Sequence, residues 1–226
     1  MAAAETLIFV DGENLSFRYL EMLASGRVPR PDNMHIPGCF VWNQRVLNEA
    51  IWKVKRLSYY TSVVGDDVMV RAVRERISAT TFVCTTGRSQ EATATRTGQI
   101  VPFVRKKSVK SRKESICDIA IAVDVMRACY RDHAETIWIL SGDGDFVQLF
   151  NEVVHSGKRA YASGFSSGLN DEIRYVVDEF IELDKHFFLS AEEIAAAEAA
   201  SVATAAASTA TTASVEGKST NGEQAT

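Results

Sequence analysis

The chain has 226 residues, of which 46% are hydrophobic, and its formal net charge is −4. This length and apolar content suit one compact domain with or without an appendage, and the mildly acidic average argues against a general nucleic-acid coat protein. No apolar stretch approaches the about 20 residues of a membrane span.

The N-terminus and the cysteines bear on where the protein works. The first residues have no basic region and their apolar run is broken at Asp11, so we expect no signal peptide. No two cysteines have the Cys-x-x-Cys spacing, so we expect reduced thiols and a cytoplasmic protein. The four are Cys39, Cys84, Cys117 and Cys129.

The first half of the chain alternates strand and helix patterns. The continuous apolar run at 6–10 predicts a strand that is buried on both faces. The pattern then predicts a helix over 14–23, a loop over 24–38, a helix over 43–54, a strand over 56–63, a helix over 67–78 and strands over 80–86 and 99–106. Pro102 inside the last of these indicates a sheet edge or a bend.

The second half continues the alternation. It predicts a helix over 116–130, a second buried strand over 136–140, a helix over 146–157, a strand over 159–164, a helix over 167–180 and a strand over 180–183. Gly157 is expected to form the C-cap of its helix. Alternation throughout predicts an α/β fold with a mostly parallel sheet and helices on both faces.

The composition changes near Ser190. Residues 190–226 are almost entirely Ala, Ser, Thr, Glu and Gly. We expect a helical start over 190–200, because Ala and Glu favour helices, and disorder beyond about residue 201. The predicted domain is therefore 4–189, followed by a low-complexity tail over 190–226.

Acidic residues follow both buried strands. Asp11 comes directly after the first, and Asp143 and Asp145 come just after the second. Ligands of such sheets bind at the carboxyl ends of the strands, so we expect these acids to meet there. Asp118, which begins the helix over 116–130, can reach the same crevice. Asp124 lies about 240° further around that helix and ranks as a supporting, structural acid.

Several carboxylates in one crevice stay ionised only beside a cation. Ligand sets made of oxygen alone select a hard ion, Mg²⁺ or Mn²⁺. The other interpretation is that each acid caps a helix, as Asp often does, but capping does not require a shared location. No phosphate-binding G-x-x-x-x-G-K-[ST] motif is present.

A basic stretch over 105–113 precedes Asp118. Its local charge is opposite to the average of the protein, so we predict that it contacts the phosphates of RNA. The alternative is a solvated loop without a partner. The predicted RNA contacts are Arg105, Lys106, Lys107, Lys110, Arg112 and Lys113.

The helix over 67–78 leaves the oligomeric state open. Val68, Val70, Val73 and Ile77 give it an apolar face, which serves either the core or a dimer surface. A homodimer is therefore possible.

The segments "IFVDGENLS", "CDIAIAVDVM", "ILSGDGDFVQLF" and "SSGLNDEIRYVVDEFIEL" occur in an order that resembles a NYN domain. This is a branch of the PIN-like nuclease superfamily, and the similarity, over about residues 5–184, is greatest to the LabA/DUF88 group. The resemblance implies a three-layer α/β/α sandwich and a ribonuclease site dependent on Mg²⁺ or Mn²⁺.

By the same resemblance, Asp11, Asp118, Asp143 and Asp145 would bind the metal and act in catalysis. Asn14 and Ser141 would orient a ligand, a water or a phosphate. The expected function is a metal-dependent endoribonuclease acting on single-stranded or structured RNA. The alternative is a non-catalytic NYN-type regulatory module that binds RNA or a protein, and a phosphatase using the same acids is a weaker third hypothesis.

Overall fold

A seven-stranded sheet runs through the first of the two units into which the chain divides, Met1–Phe188 and Leu189–Thr226. The structure is a computed structural model that describes residues 5–49, 53–86, 94–107, 116–197 and 199–200. The strands of the large sheet are β1 (Glu5–Asp11), β4 (Lys53–Val64), β5 (Thr81–Thr86), β6 (Ala94–Lys107), β7 (Thr136–Leu140), β8 (Arg159–Gly164) and β9 (Glu179–Glu182). A separate antiparallel pair is formed by β2 (Met34–Ile36) and β3 (Phe40–Trp42).

The spatial order of the large sheet is β5-β6-β4-β1-β7-β8-β9. All of its neighbouring strands pair in parallel except β5 and β6. The helices are α1 (Gly12–Ala24), α2 (Asp67–Ser78), α3 (Ile116–Tyr130), α4 (Val147–His155), α5 (Glu172–Val176) and α6 (Asp184–Phe187), with 3₁₀ helices at Gln44–Glu49 and Gly144–Phe146. Because parallel strands present their carboxyl ends at one edge, the chain leaves β1 and β7 at the same place.

Strand β1 shows why the apolar runs are buried on both faces. Ile8 and Val10 lie in one core, which includes residues of α1 and α2. Leu7 and Phe9 lie in a second core, which includes residues of α3, α4 and α5. Helices thus cover both faces of the sheet, and the predicted α/β class and three-layer architecture are confirmed.

Two predicted helices are shorter than expected. In place of a helix over 43–54, the chain forms the 3₁₀ helix Gln44–Glu49 and enters β4 at Lys53. Pairing with β1 begins there, at Glu5 opposite Lys53, so strand pairing overrides the helical pattern. The segment over 24–38, which is predicted to be a loop throughout, contains the short strand β2.

The helix predicted over 167–180 spans only Glu172–Val176. The residues before it form a loop in which the Asn170 N–H donates to the Gly142 carbonyl at 3.0 Å. Val177 is extended and leads into β9. The contact with Gly142 fixes this loop beside the end of β7.

Pro102 lies at a position of β6 where its missing backbone N–H has little effect on strand pairing. Residues 94–99 of β6 pair with β5, whereas Ile100–Lys107 pair with β4. Within the described part of the chain, no strand pairs with the other side of β6 at Pro102, so the predicted local edge is confirmed. Gly157 also takes its predicted role, since it ends the α4 region with a φ of +77°.

The apolar residues of α2 divide between core and surface. Val73 and Ile77 are buried, whereas Val68 is 74% exposed. The homodimer therefore remains a prediction.

Beyond residue 189, residues 191–197 and 199–200 are helical. Ser190 and Glu193 form a reciprocal capping box at their start, with hydrogen bonds of 2.8 and 3.1 Å. The disorder predicted beyond residue 201 lies outside the described residues, and the boundary between domain and tail stays a prediction. No helix within the described ranges has the length and apolarity to span a membrane.

Candidate active site

Asp11 is the last residue of β1 and the N-cap of α1. It is only 2% exposed. The Asn14 N–H donates to its Oδ1 at 3.1 Å, and the Ser141 hydroxyl donates to its Oδ2 at 2.8 Å. Both carboxylate oxygens therefore accept hydrogen bonds, one from α1 and one from the end of β7.

Gly12 allows the chain to pass from β1 into α1 without a gap. A Cβ at this position would lie 2.7 Å from the carbonyl oxygen of Tyr60 and 2.8 Å from Cζ of Tyr59. Real Cβ atoms do not approach that closely, so only glycine lets the start of α1 pack against β4. This packing positions Asp11 and Asn14.

The end of β7 supplies the second part of the site. The Asp143 N–H donates to Ser141 Oγ at 3.2 Å, and Asp143 caps the short 3₁₀ helix by accepting from the Asp145 N–H at 3.0 Å. The Gly142 N–H donates to Asn14 Oδ1 at 3.4 Å. Asp143 is half-buried and Asp145 is exposed. The ends of β1 and β7 are thus joined by hydrogen bonds at one edge of the sheet.

The effect of Asp118 on the pKa of Asp11 indicates that the two acids lie near each other. Burial, together with the negative charges of Asp118 and Glu13, raises the pKa of Asp11 to about 7, against the hydrogen bonds from Asn14 and Ser141. Burial likewise raises the pKa of the Cys117 thiol to about 12, again with contributions from Glu13, Asp11 and Asp118. Asp118 and Glu13, which are both half-buried, are therefore close enough to the buried Asp11 for their charges to act on it.

Glu13 is a member of this region that sequence reasoning did not single out. Its Oε1 accepts from Lys107 Nζ at 3.1 Å and from the Ser62 hydroxyl. The signal was its position two residues after Asp11 in the same "DGEN" segment.

The predicted basic stretch is only partly described. Arg105 and Lys106 are exposed, and Lys106 pairs with Asp67 at 2.9 Å. Lys107 is half-buried and pairs with Glu13. The remaining predicted RNA contacts, Lys110, Arg112 and Lys113, lie outside the described residues.

Asp124 faces a different set of partners. It accepts from the Tyr60 hydroxyl at 2.8 Å and pairs with Arg127. Burial raises the pKa of Tyr60, and the bond to Asp124 raises it further. Asp124 therefore ties α3 to β4, in keeping with its predicted supporting role.

The donor atoms suit a hard cation, since the acids offer oxygen only. No cluster of three or more His, Cys, Asp or Glu that could hold a metal occurs among the residues the structure describes. Mg²⁺ does not need such a cluster, because it keeps several waters and binds through one or two carboxylates and substrate phosphates. The region fits an ion held by few protein oxygens.

Comparison with a solved structure supports this arrangement of strands. A crystal structure of a protein of unknown function from Vibrio parahaemolyticus is similar at a TM-score of 0.54 and 16% identity, over 83% of this chain and 97% of that one. That similarity supports the fold. No curated protein matches the chain.

The family comparison is more specific. The model of the NYN domain matches residues 51–184, which include α3 and the whole of the β7 motif. NYN domains are a branch of the PIN-like nuclease superfamily, which agrees with the resemblance seen in the order of the sequence motifs. The chain therefore belongs to the NYN domain family.

Proposed function

We propose that this protein is a metal-dependent endoribonuclease that hydrolyses phosphodiester bonds of RNA at the region around Asp11. The observation that supports this most is the buried Asp11 carboxylate, which shares its region with Asp118 and Glu13 and has a pKa raised to about 7. A structural cap would not need to be buried with other acids. A cation bound there removes the electrostatic cost of ionising them.

Asp11 and Asp118 are the proposed direct ligands of Mg²⁺ or Mn²⁺. Asp143 and Asp145 act through water in this proposal, because both are less buried than Asp11 and Mg²⁺ keeps several of its waters. This modifies the expectation of four direct ligands. When bound, the ion would activate water as a nucleophile and stabilise the charge that develops on the phosphate.

The neighbouring residues position the acids. Ser141 holds Asp11 Oδ2 and the backbone of Asp143 at the same time, so it fixes the ends of β1 and β7 relative to each other. Asn14 does the same from α1 through its contact with Gly142. The order of the motifs supports placement in the LabA/DUF88-like branch, and reduced cysteines support a cytoplasmic protein.

The test is cleavage of a labelled single-stranded RNA with Mn²⁺, with Mg²⁺ and with a chelator. We expect cleavage only with a metal ion. Asp11→Asn and Asp118→Asn are expected to lower the rate by about 10²-fold or more, and Asp143→Asn by about 10- to 100-fold. Asp171→Asn, which changes an exposed acid at the start of α5, is the matched control and should leave the rate unchanged.

Cleavage that persists in Asp11→Asn would exclude this site as the catalytic one. A wild-type protein that binds RNA and never cuts it would instead support the non-catalytic binding module. Turnover of small phosphate esters without cleavage of RNA would favour the phosphatase hypothesis.

A further inference from the structure

A cleft of about 630 Å³ opens beside α3, on the face of the sheet that carries the second core. Its floor is formed by β1 and β4, one wall by α3, and the other by Phe103 of β6. We refer to it as the α3 cleft. Its charged and aromatic lining includes Arg56, Tyr60, Phe103, Asp124, Arg127 and Arg131.

The α3 cleft is positively charged. Lys55, Arg56, Arg127 and Arg131 line it, and Asp124 is the one acid among its described lining residues. Lys55 pairs with Glu5, and Arg127 pairs with Asp124. Arg56 and Arg131 are exposed and form no ion pair with an acid in the described part of the chain. Two guanidinium groups are therefore available for an anionic ligand.

The same cleft has an aromatic wall. The rings of Tyr60 and Phe103 are stacked at 4.6 Å between centroids and 7° between planes. Tyr60 is buried, whereas Phe103 is only partly buried and lines the cleft. A flat, supported ring beside arginines is the arrangement on which an unpaired nucleic-acid base stacks.

The cleft begins beside the candidate active site. Tyr60 is the residue of β4 that pairs with Asp11 across the sheet. Its hydroxyl donates to Asp124, which stands on the same helix as Asp118. From Tyr60 the floor continues to Arg56, about 13 Å further along β4. The end of the cleft at Tyr60 and Asp124 is therefore the end nearest the candidate acids, which do not themselves line it.

We propose that the α3 cleft binds the segment of single-stranded RNA next to the bond that is cut. Phosphates contact Arg56 and Arg131, and a base stacks on Phe103. That the strand is a substrate rests on the proposed function. An acidic peptide could use the arginines but has no planar base for Phe103, and a duplex keeps its bases stacked within the helix.

Binding can be measured apart from cleavage. The probe is a short fluorescein-labelled oligouridine, followed by fluorescence anisotropy in a chelator, so that no metal ion is present. We expect the double variant Arg56→Gln/Arg131→Gln to bind at least about 10-fold more weakly. The slope of log K against log salt should shrink by about 1.4, which corresponds to two lost phosphate contacts on a single strand.

The matched control is the double variant Arg71→Gln/Arg76→Gln. It removes the same charge from exposed positions of α2, whose buried residues pack on the opposite face of the sheet. Its affinity and salt slope should stay close to those of the wild type. An equal loss in both double variants would show that only the overall charge matters, and would overturn the proposal.

Phe103 tests the stacking contact. Phe103→Leu should weaken binding about fivefold or more, whereas Phe103→Tyr keeps the ring and should bind like the wild type. Circular dichroism and thermal melting verify that both variants fold. Equal binding by the leucine and tyrosine variants would contradict the proposed stacking.

The outcomes separate this inference from the proposed function. Metal-dependent cleavage that is unchanged in Arg56→Gln/Arg131→Gln would refute the cleft and leave the nuclease standing. Cleft-dependent binding without cleavage in any metal would refute the nuclease and leave the cleft as an RNA site. Displacement of the oligouridine by polyglutamate at equal charge concentration would refute recognition of RNA at the cleft.

Discussion

Among single residues, Asp11 sets the chemistry of the site. Its carboxylate is buried, it lies near two other acids, and its hydrogen bonds from Asn14 and Ser141 do not offset these effects. Such perturbed acids concentrate at functional sites. Burial is the main cause of the raised pKa of Asp11, and a bound cation would favour its ionised form.

The raised pKa of Asp11 predicts how the stability of the protein depends on pH. The folded protein keeps this proton up to about pH 7, whereas the unfolded chain releases it near pH 4. Unfolding between these values releases a proton, so the free energy of unfolding should fall by about 4 kcal/mol from pH 4 to pH 7 and then level off. Urea unfolding at a series of pH values measures this slope.

Asp11→Asn should remove that slope and raise the free energy of unfolding at pH 8 by about 2 kcal/mol or more. Mn²⁺ should stabilise the wild type at pH 8 and leave Asp11→Asn unaffected. Asp171→Asn serves as the control and should keep the slope. A wild type whose stability is flat over this range would show that Asp11 is ionised without a metal.

Ser141 gives a second prediction at this scale. Its hydrogen bond lowers the pKa of Asp11, so Ser141→Ala should raise that pKa further. The rise of cleavage rate with pH, which we expect near pH 7, should then move to higher pH. Ser163→Ala removes a buried serine that accepts from the Trp138 indole at 2.8 Å, and should lower stability without moving the profile. Identical profiles for the two variants would contradict the role of Ser141.

Among the elements, the ends of β1 and β7 supply Asp11, Ser141 and Asp143, and helix α3 supplies Asp118. The order of β4, β1 and β7 places Tyr60, Asp11 and Ser141 side by side at one edge. Much of this was predictable, because buried parallel strands are apolar runs that end in polar residues. The lengths of the helices near 43–54 and 167–180 were not, since strand pairing and one backbone contact to Gly142 decided them.

The end of β6 offers a prediction from two adjacent lysines. Lys107 is half-buried and pairs with Glu13 beside Asp11, whereas Lys106 pairs with Asp67, which is 88% exposed. Lys107→Gln should leave Glu13 without its cation, so we expect about 1 kcal/mol of lost stability and a cleavage profile moved to higher pH. Lys106→Gln should cost less than about 0.5 kcal/mol and leave the profile in place. Thermal melting and the pH dependence of cleavage distinguish the two, and equal effects would show that Glu13 does not influence Asp11.

In the whole molecule, charge is distributed unevenly along the chain. Residues 190–226 contain five acidic residues and one lysine, so this segment carries the entire net charge of −4 and the rest is formally neutral. The mildly acidic average therefore says little about the surface that is proposed to bind RNA.

Removal of residues 190–226 tests whether this acidic segment contributes to the stability of the protein or to its affinity for RNA. Because the described core residues lie within 5–188, the shortened protein should melt at the same temperature as the full chain. Its affinity for oligouridine at low salt should be equal or higher, because negative charge has been removed. A large fall in melting temperature would show that the tail belongs to the folded domain.

The sequence by itself determined the α/β class, the strand ends that carry Asp11 and Asp143, and the change of composition near Ser190. These features arise from local patterns. A strand that is buried on both faces must be a run of apolar residues, and the turn that follows the strand carries the acids. Only the tertiary structure decided that Glu13 joins Asp11, that Asp124 bonds to Tyr60, and that Arg56 and Arg131 share a cleft. Those relations depend on which strands become neighbours and on the packing of α3 against them, and contacts between distant residues leave no periodic signal in the chain.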